Sequence, residues 1–151
     1  MVGLKPMASS LMALSFVLFM AGRAHARNVQ LFVPIADAVA ATDVSDRPTG
    51  AVKFFFAMQK TPGILKNLGS YLAAPRTGVA GVSDQRACHE AFLLTLVDLE
   101  KRAQRGGATA VVNIVSYYRK MEMASATDFE CHVGNVIVTV WLKGDLVRIA
   151  E

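Results

Sequence analysis

From Asp84 to Arg105 the chain runs 22 residues without a proline or glycine, and Gly106-Gly107 follows at once. Ser83 stands where an N-cap belongs, Asp84 puts an acid in the first turn, and the glycine pair supplies the stop. Cys88, Ala91, Phe92, Thr95, Leu99 and Ala103 recur at helical spacing, and Leu93, Leu96 and Val97 widen the stripe. A helix apolar over so much of its circumference is buried on more than one side, so the rest of the chain must supply layers around it. The flanking segments have the period of strands. Val29, Leu31 and Val33 alternate within Asn28–Pro34; Val52, Phe54, Phe56 and Met58 share a face within Ala51–Met58; Ala110, Val112, Ile114 and Tyr118 share one within Ala108–Arg119. Asp128–Gly144 reads as one long final strand with a bulge at Gly134–Asn135. Ile35–Ala41 suits one or two helical turns, and Ile64–Gly78 is ambiguous between helix and strand. The expectation is an α+β domain, a mostly antiparallel sheet packed against one long helix.

The N-terminus has the anatomy of a secretory signal. Lys5 gives a positive start, Leu11–Gly22 an apolar run of 12 residues, and Ala24-His25-Ala26 a small-x-small cleavage site. The run is short of the ~20 apolar residues a spanning helix needs. The expectation is a signal peptide over residues 1–26, and a single periplasmic α+β domain over 27–151 that keeps no membrane span. Removing the leader takes Lys5 and Arg23 and leaves 14 basic against 12 acidic side chains. Lys101, Arg102 and Arg105 cluster at a helix C-terminus, where cations suit the dipole. No nucleic-acid partner is expected from a balance so close to neutral.

The chain has two cysteines, and each is followed by histidine: Cys88-His89 and Cys131-His132. Three readings are open: a disulfide, a Cys/His metal site, or free thiols with a redox role. An oxidising compartment favours the disulfide, and closing a loop over 43 positions would contribute about 4 kcal/mol in the chain-entropy model. Adjacent side chains diverge by about 100° on a helix and to opposite faces on a strand, which disfavours four ligands on one ion. His89 and His132 are then expected at the surface, His132 sharing a strand face with Glu130. A second metal reading uses Met121 and Met123 with His132, and with His89 in reserve. Thioether and imidazole suit copper, and imidazole also suits zinc.

Catalytic patterns are missing. There is no G-x-x-x-x-G-K-[ST] phosphate loop and no G-x-S-x-G elbow, so no enzyme is expected. Tyr117, Tyr118 and Arg119 stand together, and they suit either an interface or a sheet edge.

Gly107-Ala108-Thr109-Ala110-Val111-Val112, after a helix rich in alanine and charge, resembles the turn into strand of the YbjQ family, whose name carries heavy-metal binding. The stretch from Asp84 to Leu142 also resembles the periplasmic domain of the Rcs-system outer-membrane lipoprotein sensor. That sensor has four cysteines and a lipid-anchor cysteine; this chain has two and none near its cleavage site. The resemblance implies a YbjQ-like fold, and a disulfide from the helix to the strand region after it, at Cys88 and Cys131. The chain further resembles small exported bacterial proteins labelled excinuclease ATPase subunits, a label that the missing phosphate loop does not support. The expected function is a non-catalytic periplasmic binding or envelope-associated module, its partner an envelope protein or ligand. The alternative is a small periplasmic copper- or zinc-binding protein. By resemblance, ring-like self-association is open to it.

Overall fold

A computed structural model describes residue 3 and residues 26–151. The leader expected over residues 1–26 lies, but for Gly3 and Ala26, outside the described residues. Helix α2 (Asp84–Gly106) begins where Ser83 Oγ accepts the Arg86 N–H at 3.3 Å and ends where Gly107 adopts φ 72°. Gly107 then turns its N–H back onto the Ala103 and Gln104 carbonyls, a left-handed cap that glycine takes without a Cβ penalty. Every residue of the predicted stripe is buried, as are Leu93 and Leu96; Val97 is half-buried.

The remaining elements form two four-stranded sheets, not one. The first has the order β1 (Val29–Pro34), β6 (Asp128–Val133), β7 (Ile137–Val140), β4 (Arg76–Gly78), antiparallel throughout. The second has the order β2 (Lys53–Phe56), β5 (Ala110–Ser116), β8 (Leu142–Ile149), β3 (Ile64–Ala73), with β2 parallel to β5 and the other pairs antiparallel. A short helix α1 (Ile35–Ala40) packs on α2. Strand β7 runs into β8 through Trp141 alone, so one stretch of chain belongs to both sheets. Both lay apolar faces on α2. Phe92 stacks on Phe129 with centroids 4.2 Å apart and leans on Phe56 at 5.9 Å. Thr95 Oγ1 lies 2.7 Å from the Ala91 carbonyl and 3.1 Å from that of Val140, tying helix to β7. Cys88 and Cys131 are joined by a disulfide, their Cα atoms 5.8 Å apart. Buried Glu100 fixes the loop before β2, accepting from the N–H groups of Thr49 and Gly50 and from the Thr49 hydroxyl.

The expected long final strand, Asp128–Gly144, is broken. Gly134–Asn135 makes a hairpin turn in place of a bulge: Gly134 N–H donates to Ile137 O at 2.8 Å, and Val133 pairs with Val138. The core-facing positions change phase across the turn, from Phe129, Cys131 and Val133 to Val138 and Val140, but the apolar run Val136–Val138 masks the change. The ambiguous Ile64–Gly78 segment is two strands, β3 and β4. In β5 the predicted face is split. Ala110 and Val112 pack outward with Phe55, Val147 and Ile149, whereas Val111 and Ile114 face α2. Asn113, at φ 52°, absorbs the extra residue where the β5–β8 register shifts. Tyr118 leaves the strand for a tight turn closed by the Met121 N–H on the Tyr118 carbonyl at 2.9 Å. Strand β2 stops at Phe56 because Ala57, at φ 45°, turns the chain and leaves Met58 in solvent.

Gly144 of β8 is where the sheet and core touch most closely. A Cβ there would stand 2.5 Å from Val111 Cγ1 and 3.1 Å from Ile114 Cγ1. Both are branched and buried, so they have little room to move. Gly144→Ala is expected to cost about 1–3 kcal/mol by overpacking, read as a lower urea midpoint; an unchanged midpoint would show that the core yields there.

Candidate functional site

Strand β6 sorts its side chains by alternation. Phe129, Cys131 and Val133 face α2; Glu130 and His132 face away, on the outer surface of the first sheet. The register sets Gln30 of β1 opposite His132. Glu130 Oε1 accepts from Gln30 Nε2 at 3.0 Å and lies 2.6 Å from His132 Nε2. His132 Nδ1 is 3.3 Å from Asn28 Oδ1, so both ring nitrogens have partners. Tyr118 lies flat on the imidazole, with centroids 3.4 Å apart and planes 16° apart, and meets the Trp141 ring edge-on at 5.4 Å. Glu130 and His132 are thus 5% and 7% exposed.

The cluster sits at the seam where the two sheets part. Ser116, last in β5, accepts the Glu130 N–H on its hydroxyl at 2.9 Å. Its backbone exchanges two hydrogen bonds with Met123, and Tyr117 N–H donates to the Trp141 carbonyl at 2.9 Å. Between these anchors Arg119 and Lys120 both take left-handed backbone, φ 50° and 67°, at a cost of roughly 1–2 kcal/mol each. This turn presents Tyr118 to His132. The Arg119 guanidinium is 5.1 Å from the Tyr118 ring centroid, and Lys143 Nζ is 4.6 Å from that of Tyr117. Arg119 itself is exposed.

Of the residues singled out in the sequence, Tyr117, Tyr118, Arg119 and His132 come to this one seam. Met123 pairs with Ser116 there, half-buried, and Met121 is 66% exposed two residues before it. His132 is buried, contrary to the surface position expected from its strand face; the alternation is as read, but Tyr118 covers that face. His89 is elsewhere. It lies on α2 beside the Arg86–Asp43 ion pair, on the opposite side of the first sheet from His132, and its buried Nε2 has no partner among the described residues. Cys88 and Cys131 form the disulfide and hold the sheet that carries the site. Among the described residues no three His, Cys, Asp or Glu side chains are grouped to hold a metal. A metal on His132 would displace Glu130 or Asn28 from its ring nitrogens.

Asn28, Gln30, Ser116 and Trp141 were not singled out. Alternation in β1 put the first two on an outer face, but their place opposite β6 depends on a pairing between segments 100 residues apart. No protein-family model, curated protein or solved structure matches the chain.

Proposed function

We propose that the protein is a non-catalytic periplasmic binding or envelope-associated module, YbjQ-like in fold, whose contact surface is the turn from Tyr117 to Met121. The carrying observation is the pair of left-handed, non-glycine residues, Arg119 and Lys120, in an exposed turn anchored at both ends. Backbone strain of this kind persists where the surroundings over-determine it, and it gathers at binding sites. Tyrosine and arginine are the side chains that dominate interface energetics. Here Tyr118 is immobilised on His132 and Arg119 is stacked on Tyr118, so little side-chain freedom is left to lose on binding. The leader-like N-terminus and the disulfide support export to the periplasm, and no helix among the described residues is long and apolar enough to cross a membrane. Crosslinked co-purification from intact cells tests the reading. Arg119→Glu and Tyr118→Ala are expected to lower partner recovery at least about tenfold while the fold is kept; recovery equal to the parent protein's would end it.

A second reading, a small copper- or zinc-binding protein, draws on Met121 and Met123 beside the turn that covers His132. Calorimetric titration with Cu(I) and Zn(II) decides it. This reading expects binding tighter than about 1 μM, lost in Met123→Leu and His132→Gln; weaker binding, or binding that survives both changes, rejects it.

A further inference from the structure

The positive-φ residues Ala57 and Asn113 lie 56 positions apart in sequence, yet both line one cavity of about 270 Å³ on the second sheet. Ala57 N–H donates to Ile114 O at 2.9 Å, which pins the turn after β2 against the bulge of β5. An alanine at φ 45° costs roughly 1–2 kcal/mol relative to ordinary backbone, and here it shapes a wall. The same cavity is lined by Glu122, Lys143 and Asp145. Asp145 is held in place by the Asn113 amide at 3.0 Å and by the Ser70 hydroxyl. Glu122 and Lys143 make no salt bridge among the described residues; Lys143 has only the face of Tyr117. Opposite charges left unpaired on one preformed cavity, with apolar wall from Ala57, Met58 and Val115 between them, match a small molecule carrying both charges.

We infer that this cavity binds a zwitterion of amino-acid to dipeptide size, its ammonium group between Glu122 and Asp145, its carboxylate on Lys143 and its apolar side chain on Met58 and Val115. At ~30 Å³ per water the volume equals about nine waters, room for a single amino acid or a dipeptide. The cavity adjoins the contact surface through Glu122 and through Lys143 on the Tyr117 ring, but Arg119 does not line it, and Arg119→Glu is expected to leave leucine binding intact.

Titration of the ¹⁵N-labelled protein with L-leucine tests it by amide chemical shifts, with L-leucinamide and N-acetyl-L-leucine as probes that each lack one charge. Leucine is expected to shift the Asn113, Gly144 and Asp145 amides in a saturable way below about 10 mM. Each single-charge probe, and each of the variants Lys143→Met and Glu122→Gln, is expected to weaken binding at least about tenfold. No saturable shift with leucine overturns the assignment. Equal binding by leucinamide, or leucine binding unchanged in both variants, overturns it as well.

Discussion

Replacing Cys88 and Cys131 together with alanine is expected to lower the unfolding free energy by about 4 kcal/mol. The bridge spans 43 positions and closes a loop containing most of α2, all of β5, the crossover at the seam and the first four residues of β6. The loss arises chiefly in the unfolded chain, which regains the freedom that the closed loop denies it. Both sulfurs are fully buried, so the alanines also leave small voids that act in the same direction. Against a typical net stability of about 5–15 kcal/mol, the variant is marginal. Urea unfolding reads the effect as a lower midpoint with a steeper slope, because an uncrosslinked chain exposes more surface. A loss under about 1 kcal/mol would mean that the reduced chain already holds α2 against β6 when unfolded.

Phe92→Ala is expected to cost about 3–5 kcal/mol. Phe92 is fully buried in α2, stacked on Phe129 of β6 and tilted against Phe56 of β2, so a single ring touches the helix and both sheets. Removing it forfeits the transfer energy of the ring and the stacking, and leaves a cavity the size of an aromatic side chain at the junction of three layers. Phe92→Leu keeps most of the volume and is expected to cost well under half as much. Equal losses in the two variants would place the effect in the aromatic contact; a small loss in both would show that the layers close over the gap.

Much of this architecture was legible in local pattern. Ser83 and Gly107 marked the ends of α2, its apolar stripe marked what is buried, and the compartment implied by the N-terminus marked Cys88 and Cys131 as partners. Three of the departures from the expected strands share one physical cause: side-chain period carries no information on backbone φ. Asn113 at 52° flips the second half of β5, Ala57 at 45° ends β2 early, and Arg119 and Lys120 turn Tyr118 out of the strand. None is a glycine, and only Asn113 is of a type that favours left-handed backbone. The division into two sheets depends on the bend at Trp141, and the environment of His132 on the pairing of β1 with β6, contacts between segments far apart in sequence. Hence Tyr117, Tyr118, Arg119 and His132 could each be singled out, but their meeting at one seam could not.

The most direct test of the proposed contact surface is site-specific photocrosslinking in intact cells, with a photoreactive side chain replacing Arg119 in one version and Gln104, exposed on the last turn of α2, in the other. A discrete adduct from position 119 and none from position 104 is the predicted result. Adducts of equal yield from both positions, or none from position 119, would contradict it.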